Sequence, residues 1–177
     1  RRSINWVINF KNSSTTSDIN LFLSQPIIIK NDNLIVSAAN SLFNYNVLSS
    51  EKRWDKAISV ALKPIATKKN IFLLSKNNLL ICLDLSSGRI IWSKNILSHL
   101  KHGWIWKKNQ KVGTIINISV VNKEINIFTN RGYLISFASN DGKILYFDKI
   151  NRSGISSTPI FYDKSMFIIG NNNKLYK

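Results

Sequence analysis

His99 and His102 lie three residues apart in the stretch Ser98-His-Leu-Lys-His-Gly-Trp-Ile-Trp-Lys-Lys-Asn-Gln-Lys111, a spacing that two ligands of one metal ion can share. They are the only two histidines in the chain, and no third ligand accompanies them, so no metal is expected. The same stretch offers another chemistry. His102, Trp104 and Trp106, followed by Lys107, Lys108 and Lys111, combine aromatic anchors with cations, which suits a protein partner or a lipid headgroup surface. The competing structural reading has Trp104 and Trp106 alternating along a strand and packing on a neighbour, with the lysines merely solvated. Cys82, two residues before Asp84, invites a nucleophile reading, but it sits inside the apolar run LLICLDL and reads as a small buried residue. The nine acidic residues are dispersed and form no group that would hold calcium. No catalytic, cofactor-binding or metal-binding residue is assigned, and no cofactor or small-molecule substrate is expected.

Charge sets the next question. Lys and Arg number 25 against nine acids, a net +16, which raises a nucleic-acid or membrane role. The cations are scattered, mostly singly, with pairs such as Lys68-Lys69 and Lys107-Lys108 the exception. Lysine outnumbers arginine 19 to 6 and asparagine reaches 23, the usage that AT-rich codons produce without any polyanion partner. No nucleic-acid partner is expected, and proximity to a membrane surface stays open. No run approaches 18 apolar residues, so no transmembrane helix is expected. The single cysteine rules out an internal disulfide. The chain opens on Arg1 and has one methionine, Met166, so it is expected to be a mature segment or a piece of something longer, its targeting segment not included.

The elements that must carry these residues repeat. Pro26 to Trp54 and Pro64 to Trp92 both span 28 residues, and the two units lie 38 apart. They align without a gap, placing Leu34 on Phe72, Val36 on Leu74, Leu42 on Leu80 and Tyr45 on Leu83. A third copy, 118–146, puts Leu134 on Leu80, Asp141-Gly142 on Ser87-Gly88, and Tyr146 at the tryptophan position. A fourth starts at Pro159, with Leu175 again 16 residues on, and Trp6 closes what reads as the tail of a preceding copy. Apolar runs alternate with turn clusters such as Ser-Ser-Gly and Asn-Asp-Gly, the pattern of short strands. Three strands are expected between each proline and its tryptophan, and a fourth after it. A helical period is conceivable only in the short stretch 96–101. Four-stranded antiparallel sheets repeated at about 40 residues mark the blades of a β-propeller.

The stretch Cys82-Leu-Asp-Leu-Ser-Ser-Gly-Arg-Ile-Ile-Trp92 resembles the repeat of PQQ-type (quinoprotein-like) propellers, Ala-x-Asp-x-x-Thr-Gly-x-x-x-Trp. Asp84 stands at the acid, Gly88 at the glycine and Trp92 at the tryptophan. The first copy departs with Asn46 and Ser50, the third with Ala138 and Tyr146. The resemblance implies that Trp54, Asp84, Gly88, Trp92, Gly142 and Tyr146 serve turns and blade docking. It also implies an all-β partial propeller of PQQ-like repeats, about 38–41 residues each, belonging to a seven- or eight-bladed protein. Residues 1–25 would end one blade and connect onward, and 26–63, 64–117 (with loop 98–113 inserted) and 118–158 would be blades. Residues 159–177 would start a further blade. The polar insertion 12–20 reads as a flexible loop.

Two branches of this superfamily bear on function. PQQ-dependent dehydrogenases hold the quinone with calcium, a vicinal disulfide and a catalytic aspartate. The other branch is similar to BamB-like lipoproteins, periplasmic and outer-membrane associated, non-catalytic scaffolds that hold a protein partner of the barrel-assembly machinery through loops at one end of the propeller. Sparse acids and a single cysteine fit the scaffold, so a protein partner is expected and enzymatic activity is not. A quinoprotein fragment is the second reading, and a basic nucleic-acid or membrane-surface module the third. The loop at 98–113 stretches the closing-residue spacing from 38 to 54 residues and is the expected contact surface.

Overall fold

The computed structural model describes residues 4–8, 10, 26–38, 40–96 and 112–177. Fifteen strands in four sheets run through these described residues. The first sheet is β1 (Ile28–Lys30), β2 (Asn33–Ala38), β3 (Ser41–Asn46) and β4 (Lys52–Lys56), in that order. The second follows with β5 (Ile65–Ala66), β6 (Asn70–Leu74), β7 (Leu79–Asp84) and β8 (Ile90–Asn95). The third comprises β9 (Ile115–Val121), β10 (Glu124–Thr129), β11 (Tyr133–Ala138) and β12 (Ile144–Lys149). The fourth has three described strands, β13 (Ile160–Tyr162), β14 (Ser165–Ile169) and β15 (Leu175–Tyr176). Each sheet is a meander, with neighbours in space also neighbours in sequence.

Local chemistry explains these elements. The hairpins β9–β10 and β13–β14 turn on two residues with positive φ, Asn122 and Lys123 in one, Asp163 and Lys164 in the other. Two-residue hairpins of the primed type require that conformation because its twist matches the strands. Central strands β2, β3, β6, β7, β10 and β11 are buried along most of their length, so they read as continuous apolar runs. The outer strands β4, β8 and β12 are largely exposed. The first and third sheets share an irregularity at the same repeat position, the register shifting after Asn44↔Trp54 in one and after Ser136↔Tyr146 in the other.

One expectation needs correction. The fourth strand does not follow the closing aromatic; it contains it, with Trp54 inside β4, Trp92 inside β8 and Tyr146 inside β12. The segment after Pro26 is short enough for the tight β1–β2 turn, so four strands fit where three were expected. Of the stretch 96–101 only Ile96 is described; it is helical and buried.

Contacts divide the chain into two compact units, Arg1–Asn77 with Ile81–Ile91, and Asn78–Leu80 with Trp92–Lys177. In the first, Leu34, Val36, Ala38, Phe43 and Tyr45 form a core cluster against which Trp6, Ile8, Phe10 and Val47 pack. Phe10 meets Phe43 with ring centroids 5.3 Å apart, tilted as aromatic pairs prefer. In the second unit, Phe128, Ile155 and Ile168 form a cluster joined by Leu134, Phe161 and Met166.

Candidate functional site

The turn that opens the repeat motif is fixed by Asp84. Its Oδ1 accepts from the Ser86 and Ser87 amides at 3.1 and 2.8 Å and from their hydroxyls at 2.6 and 2.8 Å. These bonds, the Ser86 hydroxyl foremost, pull the carboxyl down to about 2. Gly88 follows with φ +67°, and a Cβ there would come within 2.6 Å of the Trp54 ring. Trp54 Nε1 donates to the Leu85 carbonyl at 3.1 Å, and the buried Asn44 Nδ2 donates to the same oxygen at 3.0 Å. One carbonyl thus receives two donors from one cross-strand pair.

The motif is degenerate in sequence but conserved in shape along the chain. At the first copy Asn46 Oδ1 accepts from the Leu48 and Ser49 amides, and Ser50 adopts φ 60° where Gly88 stands in the second. At the third, Trp92 Nε1 donates to the Ser139 carbonyl at 3.2 Å, and a Cβ on Gly142 (φ +70°) would lie 2.8 Å from the Trp92 ring. There the acid has moved three residues on: Asp141 Oδ1 accepts from the Lys143 amide, which lowers its pKa.

Tyr146 is placed differently. It is 45% exposed, its hydroxyl donates to Asp148 Oδ2 at 3.3 Å, and its ring borders a cavity of about 810 Å³. Asn126, Ser136, Leu145, Phe161 and Met166 also line the cavity. Ser136 donates its hydroxyl to Asn126 Oδ1 at 2.5 Å.

A polar relay crosses the first sheet. Arg53 pairs with Asp32, holding that carboxyl below its ordinary range, and donates to Asn33 Oδ1 at 2.7 Å. Asn33 Oδ1 in turn accepts from Asn44 Nδ2 at 2.9 Å, while Asn44 Oδ1 is buried with no hydrogen-bond partner. Cys82 occupies the place of Asn44 one repeat later; it is free and buried, and burial pushes its thiol up to about 11. A thiol so raised is a poor nucleophile at neutral pH.

The structure thus brings Trp54 to Gly88 and Trp92 to Gly142, with Asp84 shaping the first of these turns, and leaves Tyr146 on a cavity. His102, Trp104, Trp106, Lys107, Lys108 and Lys111 lie outside the described residues, as do His99 and the insertion 12–20. Sequence reasoning missed Asn44, Asn126 and Ser136; their only signal is a polar residue inside an otherwise apolar run. Among the described residues no three His, Cys, Asp or Glu side chains gather as a metal site, and no helix is long and apolar enough to cross a membrane.

Four-stranded meanders whose closing tryptophans lie over the turns that follow in the repeat define a partial β-propeller of PQQ-like blades. The sequence matches the family described as outer membrane protein assembly factor BamB over residues 6–94, half of the chain, and the chain belongs to that family. Among solved structures it is similar to BamB from Moraxella catarrhalis, at 13% identity and a TM-score of 0.60, over 85% of this chain and 44% of that one. The computationally designed Ika4 protein is similar at 11% identity and a TM-score of 0.63, covering 92% of this chain and 91% of its own. Quinohemoprotein alcohol dehydrogenase from Comamonas testosteroni is similar at 14% identity and a TM-score of 0.52, over 70% of this chain and 20% of that enzyme. At these identities the likeness is one of fold. The chain spans less than half the length of the BamB chain it matches. No curated protein sequence matches it.

Proposed function

We propose that the chain is a non-catalytic scaffold segment that holds a protein partner in outer-membrane β-barrel assembly, in the periplasm and beside the outer membrane. Membership of the BamB family over residues 6–94 carries this reading. The chemistry of the sheets agrees with it: Asp84, Trp54, Trp92, Gly88 and Gly142 are engaged in holding turns, and Cys82 is buried with a raised pKa. The contact residues we assign are His102, Trp104, Trp106, Lys107, Lys108 and Lys111, on the loop that breaks the repeat period.

The test is binding of the purified chain to the purified periplasmic domains of a barrel-assembly component. Saturable binding is expected, reduced at least tenfold by Trp104→Ala with Trp106→Ala. Replacing Lys107, Lys108 and Lys111 by Glu should mainly slow association. A dye-linked dehydrogenase assay with added quinone and calcium is expected to stay silent. Turnover there, with no binding to the assembly component, would replace this reading by the quinoprotein one.

A further inference from the structure

In the compact unit that contains Trp92–Lys177, charge is sorted between the two ends of the sheets. A meander puts the turns β9–β10, β11–β12 and β13–β14 at one end, and the turns β10–β11 and β14–β15 at the other with the connector that leaves β12. The first end is balanced: Lys123 stands next to Glu124, Lys143 pairs with Asp141 at 3.3 Å, and Asp163 precedes Lys164. The second end carries Arg131, Arg152 and Lys174, all exposed, and its turns and connector hold no acid. Asp148, the unit's one other acid, lies within β12 beside Lys149. Codon usage can raise the number of lysines, but it does not send the acids to one end. Arginine, outnumbered 19 to 6 by lysine in the chain, supplies two of these three cations.

The loops that carry them are laced together. The Gly132 carbonyl accepts from the Ile150 and Asn151 amides at 2.9 and 3.1 Å, which sets Arg131 and Arg152 on adjoining segments. The Asn130 carbonyl accepts from the Ile155 amide at 3.2 Å and from Asn171 Nδ2 at 3.3 Å. Ser153 Oγ lies 3.3 Å from Asn172 Oδ1, which brings in the turn that bears Lys174. Thr114, where the stretch 98–113 rejoins the sheet, donates its amide to Asn130 Oδ1 at 3.0 Å. Arg131 and Arg152 are therefore exposed with Thr114 and the fourth repeat's Asn171 both already bonded to the turn between them.

We propose that this end of the unit docks a carboxylate-rich segment of the protein partner, with Arg131, Arg152 and Lys174 pairing to its side chains. The guanidinium fork of arginine matches a carboxylate with two parallel hydrogen bonds, as Arg53 already does with Asp32 inside this chain. The hydrogen bonds among the three loops fix the backbone that bears the cations, so little ordering is needed on binding. Three like charges with no acid between them also attract an acidic surface before contact, and that acts chiefly on the association rate. The surface begins where the stretch 98–113 ends, at Thr114, and so continues the contact region assigned to that stretch. The inference rests on the chain holding a protein partner, and not on that partner being a barrel-assembly component.

Two probes test it on the 177-residue chain. An octaglutamate peptide titrated into the 15N-labelled chain should shift the amides of Arg131, Arg152, Ser153 and Lys174 saturably. The second probe is the purified periplasmic domains of the barrel-assembly component, followed by stopped-flow mixing. Arg131→Glu, Arg152→Glu and Lys174→Glu together should slow its association at least tenfold at 50 mM salt and less than threefold at 500 mM. Lys68→Glu, Lys69→Glu and Lys164→Glu, exposed lysines in the turns β5–β6 and β13–β14, change the net charge equally and should slow it less than threefold. Arg131→Gln with Arg152→Gln serves if the first triple variant does not fold. Peptide shifts elsewhere or none, or equal slowing by the two triples, would overturn the proposal. So would phosphatidylglycerol vesicles that bind the native chain and lose it on the first triple while the protein association rate is unchanged, since the face would then belong to lipid. Shifts at Arg131 and Arg152 without any binding of the assembly component would leave the acidic partner standing and remove only that component from the reading above.

Discussion

At the residue scale, the turns are held by small groups with little redundancy. Asp84 carries its turn through four hydrogen bonds to one oxygen, and its pKa near 2 lies below the unfolded value of about 3.9. The folded state therefore binds fewer protons at this site than the unfolded one. The stability it adds is complete above about pH 5 and is lost as pH falls through 4 toward 2. Asp84→Asn keeps an acceptor oxygen and removes the titration. Its urea midpoint should fall less between pH 6 and pH 2.5 than that of the native chain, and equal falls would discount the Asp84 turn as an acid-sensitive point. Gly88 is constrained twice, by its positive φ and by the Trp54 ring 2.6 Å from where a Cβ would sit. A left-handed conformation alone costs an L-residue about 1–2 kcal/mol. Gly88→Ala should therefore cost at least about 2 kcal/mol once the displaced ring is added, measured by urea unfolding.

At the scale of the element, the closing tryptophan acts mainly through its bulk. Trp54 is 8% exposed, so Trp54→Ala should cost about 3–5 kcal/mol, the range for large aromatic truncations. Trp54→Phe removes the bond to Leu85 but leaves that carbonyl accepting from Asn44 Nδ2, so no buried acceptor is orphaned. Its cost should stay near 1 kcal/mol, the net worth of one hydrogen bond; equal losses for the two variants would show the bond, not the ring, to be the anchor. Ser50, the one non-glycine at this turn position, sits at φ 60°, and Ser50→Gly should raise stability by about 1 kcal/mol. The strands, their repeat and the tryptophans were legible because apolar runs and a fixed 38-residue spacing leave direct marks in sequence. The place of the fourth strand was misjudged, since spacing alone does not say whether the aromatic precedes a strand or lies within it. The double clamp on Leu85 and the cavity beside Tyr146 were not legible at all. Both depend on cross-strand register, Asn44 with Trp54 and Ser136 with Tyr146, which a linear sequence encodes only through its partner strand.

For the whole molecule, the open question in the sequence is whether a net charge of +16 serves a polyanion. Several of the described aromatics are already engaged. Trp54 and Trp92 are engaged with turns, and Phe128, Phe137 and Phe43 are buried in cores, so none of these is available as a platform for bases. Attraction to phosphates is a separate contribution that needs no such platform. That term releases counterions and weakens steeply with salt, by about a thousandfold between 50 and 200 mM for six phosphate contacts. Fluorescence anisotropy with labelled duplexes should therefore show binding at low salt that is indifferent to sequence and vanishes near 200 mM. Binding to the barrel-assembly component, if anchored by Trp104 and Trp106, should survive the same salt with a slower association rate, because charge steers encounter while buried aromatic area holds the complex. A sequence preference among duplexes, or DNA binding that persists at 200 mM salt while the protein partner is lost, would reverse the assignment and make the charge the functional feature.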